Sequence, residues 1–504
     1  MTQPNSSASN PRTFSSKLRT IFWPIHGYEL KKFVPMASLM FCVLFSQNVL
    51  RILKDSIVIA EISAEVTSFA KVYCVTPAAA IFVIVYAKMV NTYSFEKIHN
   101  YLLVFFVTFF AIFSFLIYPN AKLFHMDPST MENLMMLHPH LKWYIALFGN
   151  WSYIIFYVLA ELWPNIFYIL LFWQFANEIT TTEEAGRFYT LFSLVGNSSL
   201  IIVGVMIMNI ASEESVIQKY FDTIDSHVVL VQGATLTVVV SSIISIFLVR
   251  FVCKNVMSDP KLYLKAKSDN TPRTKMGLKE SFKYIARSKY LWLLLICSAA
   301  FGLSMNLVEA VWKAKIKDLY STVNAYAEFN GLTILWTGIA IMIMTIIGNN
   351  IMRNYGWFVA AVITPIMIMV TGIMFFMLVV FDKEMFTWFD NAMIMTPLAM
   401  AVSVGAMQNI LAKGTKYSIW DTSREMLYIP LDNELRTKGK AAVDVVSSKI
   451  GKSSSGLIQS ILFVLIPSAN YTSISPFLMV IFIIVCVAWI YAVRKIFHEY
   501  KKLI

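Results

Sequence analysis

Long apolar runs set the terms for this chain. About twelve of them approach or exceed the ~20 residues a helix needs to cross a ~30 Å hydrocarbon core. They fall at 34–58, 68–88, 101–118, 145–177, 186–210 and 228–252, then at 291–312, 329–350, 357–381, 391–412, 454–470 and 476–494. Only 14% of the 504 residues are charged and 57% are hydrophobic, whereas a soluble domain carries roughly 25% charged residues. No water-soluble core hides that much apolar surface, so the solvent is lipid. The runs are continuous, whereas barrel strands alternate apolar and polar residues. An open sheet would leave backbone polar groups unpaired in lipid. The expected class is an all-α membrane protein.

Charge placement predicts orientation. With the N-terminus inside, most of the 42 Lys and Arg fall on inside segments, as the positive-inside rule requires. Both termini are then cytoplasmic in a multi-pass protein of the cell inner membrane, and most of the +12 net charge is explained without nucleic acid. Residues 1–33 are polar, carry Arg12, Lys17, Arg19, Lys31 and Lys32, and lack an apolar core followed by a cleavage site. They read as a cytoplasmic tail, with a targeting signal as the other reading. The basic loop 253–290 holds ten Lys and Arg. It separates a six-helix half, 34–252, from a second, 291–494, before a short tail at 495–504. Six plus six helices around a cytoplasmic loop is the major-facilitator arrangement. In such folds substrate binds near the midplane between related halves.

A faint internal repeat supports two halves. The first run ends Asn48-Val49-Leu50-Arg51, then Lys54-Asp55; the seventh ends Asn306-Leu307-Val308-Glu309, then Lys313. Asn aligns with Asn, Arg51 with Glu309, and Asp55 with Lys313, so the charges are swapped. Chance is one reading of so short a match. The other is a set of ion pairs across the pseudo-two-fold that closes an outer gate.

Other chemistries find little support. The five cysteines, Cys42, Cys74, Cys253, Cys297 and Cys486, contain no CxxC pair and predict neither zinc nor disulfides. His138-Pro139-His140 reads as a solvated loop. Ile450-Gly451-Lys452-Ser453 resembles the end of a phosphate-binding loop, but Val446 stands where the first glycine belongs. No nucleophile with a base is evident. The expectation is no enzyme, no metal and no cofactor.

Ionisable groups at membrane depth cost roughly 2.5–3.5 kcal/mol each on insertion scales, which makes them functional candidates. Arg51 and Lys54 lie one turn apart and share a helix face. They either snorkel to the interface or bind an anion such as a polyphosphate. Glu161 sits mid-run, too deep to snorkel, and is either a structural ion-pair partner or a gating and coupling group. Pro164 should kink or widen that helix. Glu309 and Lys313 make either a local i,i+4 pair or part of the gate. Lys416 is either a positive-inside residue or a substrate ligand. Tyr157, Trp163 and Trp173 are packing residues or base-stacking ones.

Several stretches carry a resemblance. They are Leu50-Arg51-Ile52-Leu53-Lys54-Asp55, Ala160-Glu161-Leu162-Trp163, Phe172-Trp173-Gln174-Phe175-Ala176-Asn177, Asn306 to Lys313, Lys416-Tyr417-Ser418-Ile419-Trp420-Asp421, Ile429-Pro430-Leu431-Asp432, Lys438 to Val445, and Gly451-Lys452-Ser453. The chain thereby resembles, from about residue 20 to 500, the non-mitochondrial ATP/ADP translocases of plastids, rickettsiae and chlamydiae. The resemblance implies a monomeric twelve-helix carrier that exchanges ATP for ADP by alternating access. It also implies that Lys54, Glu161, Glu309 and Lys416 are its key intramembrane charges. Departures from the family pattern at Pro164, Ile419-Trp420, Lys449 and Ser453-Ser454-Ser455 keep other cargo open: GTP, CTP, UTP or a nucleotide cofactor, by exchange or proton-coupled import.

Overall fold

The computed structural model describes residues 25, 27–221, 223–259, 262, 285–286, 288–382, 395–431 and 439–503. Among the described residues there are helices and connections but no strand. Each apolar run satisfies its backbone internally by coiling, which is the only option lipid leaves to a single segment. The long helices are α1 (Leu30–Glu61), α2 (Ala64–Thr92), α3 (Phe95–Phe124), α4 (Trp151–Ile179), α5 (Glu183–Ala211), α6 (Ser226–Val256), α7 (Lys289–Leu319), α8 (Val323–Gly348) and α9 (Asn350–Val380). Next come α10, which is Pro397–Thr415 continued by Lys416–Trp420 and Asp421–Met426, α11 (Lys440–Leu465) and α12 (Tyr471–Leu503). Ten of these are long and apolar enough to cross a membrane. The two more polar ones, α10 and α11, complete the expected twelve.

Several boundaries differ from the hydropathy reading. The run 145–177 is broken at Asn150, where a short helix Lys142–Gly149 ends and α4 begins. Another short helix in the α3–α4 connection, Pro128–Leu137, is capped by Asp127. That carboxyl is held below its usual range by the Ser129 hydroxyl and the Thr130 N–H. Ordered structure begins before residue 34: Lys32 Nζ lies 2.6 Å from Glu184, and Arg187 donates to both carboxylate oxygens of Glu29 at 2.9 and 2.6 Å. Glu184 also completes a capping box with Thr181 at the start of α5. The expected tail at 495–504 is helical through Leu503. Residues 1–24 and most of the 253–290 loop lie outside the described residues.

Helix α1 is the most enclosed of the ten, with 72% of its apolar window buried against 17% for α2. Small polar side chains let neighbours approach it: Ser241 of α6 donates to the Cys42 carbonyl at 3.0 Å, and Asn48 donates to Ser199 of α5 at 3.3 Å. Among the described residues several helical segments widen into π turns, including Pro164–Phe172 in α4 and Lys416–Trp420 in α10. Proline lacks the N–H that an α turn uses, so the widening in α4 begins at Pro164 itself. Within α9 the helix is interrupted at Gly356, whose φ of 79° suits glycine alone.

Taking α1–α6 and α7–α12 as the two halves, the hydrogen bonds and ion pairs that join them gather towards one end. It is the end where α1 finishes and α2 begins. Lys317 donates to the Ile62 carbonyl at 2.8 Å, and Asn324 to the Ala211 carbonyl at 3.1 Å. The Glu65 carboxylate accepts from the Tyr471 N–H at 3.2 Å. Ser68 Oγ lies 2.6 Å from both Gln459 Oε1 and the Tyr471 hydroxyl. Nearby, α5 and α8 cross with glycine on glycine: a methyl placed on Gly204 would sit 2.7 Å from the Gly331 carbonyl oxygen.

Candidate functional site

The intramembrane charges singled out above, with Lys416 excepted, converge just inside this closed end. Arg51, Lys54 and Asp55 come from one and a half turns of α1. Glu309 and Lys313 come from one turn of α7, and Glu161 comes from α4 immediately before its π turn. Lys54 Nζ lies 2.7 Å from Asp55 and 2.9 Å from Glu161. Lys313 Nζ lies 2.8 Å from the other oxygen of Asp55 and 3.2 Å from Glu309. Arg51 reaches Glu309 at 3.3 Å. The charge-swapped pairs aligned in the repeat, Arg51 with Glu309 and Asp55 with Lys313, are therefore both formed. Each joins one half to the other.

Asp55 is the centre of this arrangement, shared between Lys54 and Lys313. Sequence analysis noted it only as a repeat position, because a carboxylate next to a lysine looks locally satisfied. The i,i+4 contact of Glu309 with Lys313 is present, but it is one link in a chain of pairs. Arg51 and Lys54, though one turn apart, hold different carboxylates.

Accessibility grades across the cluster. The Lys54 and Asp55 side chains are each 5% exposed, whereas Glu161 is 26% and Arg51 32% exposed. The Tyr157 ring lies 4.5 Å under the Lys54 ammonium, a cation–π contact that adds to its hold. Trp163 is 1% exposed and donates to the Val43 carbonyl at 3.3 Å, so it packs inside the half. Trp173 packs on Tyr189 with ring centroids 5.0 Å apart.

Lys416 is not brought into ion-pair contact with the other five. It opens the π turn of α10, pairs with Asp421 at 2.7 Å and lies 4.2 Å from the Tyr417 ring. Two further lysines approach the cluster instead. Lys71 on α2 interacts electrostatically with Lys313, Glu161, Glu309 and Lys54, and Lys413 on α10 with Arg51, Glu309, Lys313 and Asp55. Sequence reading passed over both, because a lysine at the edge of an apolar run looks like an interface residue. Among the described residues no group of His, Cys, Asp and Glu is arranged to hold a metal ion.

Chemically, the cluster is a set of charge-assisted hydrogen bonds that a competing anion or cation would rearrange. Its pairs bridge the two bodies that must part if the closed end is to open.

Comparison with known proteins bears on the fold and the family. In fold, the chain is similar to a bacterial homologue of the iron transporter ferroportin in an inward-facing state (TM-score 0.60, 14% identity, 94% of this chain and 99% of that one). In sequence, it is 66% identical over 496 residues to ADP,ATP carrier protein 5 of Rickettsia felis, covering 98% of this chain and 99% of that one. It is 40% identical over 500 residues to ADP,ATP carrier protein 1 of Rickettsia bellii, covering 99% of both. The model of the TLC ATP/ADP transporter family matches residues 8–500. The chain belongs to the TLC ATP/ADP transporter family.

Proposed function

We propose that this chain exchanges ATP for ADP across a bacterial inner membrane by alternating access, as a monomer with both termini cytoplasmic. The observation that carries the reading is the ion-pair seam joining α1 to α7 in a chain of this family. With the basic segments inside, the closed end is the outer one and the charged space opens to the cytoplasm. Arg51, Lys54 and Lys416 are the substrate-binding cations. Glu161, Glu309 and Lys313 couple binding to gating: when nucleotide phosphates take Arg51 and Lys54, the carboxylates that held them are released and the seam loosens.

ATP and ADP differ by about one charge. An inside-negative potential of 100 mV therefore opposes ATP entry against ADP exit by ~2.3 kcal/mol, or about fiftyfold in concentration ratio. Such an exchanger draws on ATP-rich surroundings, the economy of an energy parasite, and neither a proton nor nucleic acid takes part. The test is uptake of labelled ATP by intact bacteria expressing the chain, chased with unlabelled nucleotides. Chase by ATP and ADP alone is expected. Entry of labelled GTP, CTP or UTP in place of ATP would overturn the substrate while leaving the carrier.

A further inference from the structure

The cluster between the halves has no charge to spare. Arg51, Lys54 and Lys313 face Asp55, Glu161 and Glu309, three cations against three carboxylates. Lys416 is likewise cancelled by Asp421. A di- or triphosphate arriving there finds every one of these cations already engaged, and to take one it must first strip away a carboxylate.

Lys71 and Lys413 differ. Both are half-buried, and both interact electrostatically with the cluster, one from each half. Neither has a carboxylate within ion-pair distance among the described residues. Each is nearest to groups of both signs, and those carboxylates are already committed to Arg51, Lys54 or Lys313. An ammonium group at membrane depth is costly to hold without a counter-ion. Two such ammonium groups, one from each half, stand beside a cluster whose own charges cancel. The counter-ion missing from the protein is the one the cargo brings.

We propose that Lys71 and Lys413 are the first phosphate ligands of the transported nucleotide, one from each half, and that they set its preference for polyphosphate over monophosphate. This rests on the nucleotide-carrier reading. The two lysines capture the phosphate chain without breaking any existing pair. The bound anion then competes for Arg51 and Lys54, so capture precedes release of the seam. A ligand shared by both halves also draws them together on the open side as the closed side loosens.

The test uses the full-length chain, purified, with thermal unfolding measured alone and with ATP, ADP or AMP, alongside equilibrium binding of each. In Lys71→Gln and Lys413→Gln, removing an uncompensated charge should leave stability without nucleotide unchanged or raised. ATP affinity should fall at least about tenfold in each variant, and AMP affinity much less. Lys71→Arg and Lys413→Arg should recover most of the ATP affinity. Lower stability without nucleotide in the Gln variants would assign the lysines a structural role and overturn the proposal. So would an ATP-to-AMP affinity ratio equal to that of the unsubstituted chain. If the unsubstituted chain binds no nucleotide, the carrier reading itself fails, which is a separate outcome.

Discussion

Asp55 shows how much one side chain holds at this seam. Its two oxygens satisfy Lys54 and Lys313, ammonium groups from opposite halves that would otherwise repel. Asp55→Asn should destabilise the purified protein by about 3–5 kcal/mol, the usual cost of leaving a buried charge without its partner, read as a lowered unfolding temperature. Glu161 differs, since it pairs with Lys54 and is more exposed than Asp55. Glu161→Gln should preserve nucleotide binding but abolish most exchange, and undiminished exchange would remove Glu161 from the coupling. The Arg51–Glu309 pair permits a sharper test. Arg51→Glu and Glu309→Arg should each impair exchange, and the double exchange of charges should restore much of it. No restoration would mean that their proximity is incidental to gating. Glu161 and Glu309 were legible as candidates because burial makes any intramembrane charge conspicuous. Their partners were legible only where the repeat happened to align them.

Among elements, the crossing of α5 and α8 is the tightest point between the halves. At Gly204 and Gly331 the backbones meet with no side chain between them. Such contacts in membrane helices rest on close packing, because lipid supplies little hydrophobic drive to association. A methyl on Gly204 meets backbone atoms of Gly331 and Leu335 at 2.7 and 2.8 Å, and backbone cannot turn aside as a side chain can. Gly204→Ala should weaken the closed outer end by about 1–3 kcal/mol, the usual cost of overpacking. Cysteines engineered into the seam should then react faster with an impermeant thiol reagent added from outside. An unchanged rate would show that these helices stay together throughout the cycle. The π turns of α4 and α10 occur in equivalent helices of the two halves, and each adjoins a charged residue, Glu161 or Lys416. Pro164 announced the first. The second has no proline, and periodicity gives no sign of it.

At the scale of the whole molecule, a polar lock and an ion-pair seam join α1–α6 to α7–α12 towards one end. The lock of Glu65, Ser68, Gln459 and Tyr471 lies where α1 ends and α2 begins. Alternating access requires it to break. With the native cysteines replaced, Ser68→Cys and Gln459→Cys joined by a short bifunctional thiol reagent should stop exchange. Each single cysteine treated the same way should keep it. Continued exchange in the joined protein would mean that the halves need not separate there.

The apolar helices could be read from the chain because lipid imposes them locally. Whether a run crosses depends on its own length and apolarity, and which way it points depends on the lysines and arginines at its ends. Neither needs a distant partner. The pairing of charges is a different kind of fact. Lys54 and Glu161, or Arg51 and Glu309, are far apart in sequence, and their contact exists only once α1, α4 and α7 are packed. Lys71 and Lys413 make the point most strongly. What distinguishes them is that no carboxylate among the described residues lies within ion-pair distance, and only tertiary packing decides which charges are near enough to count.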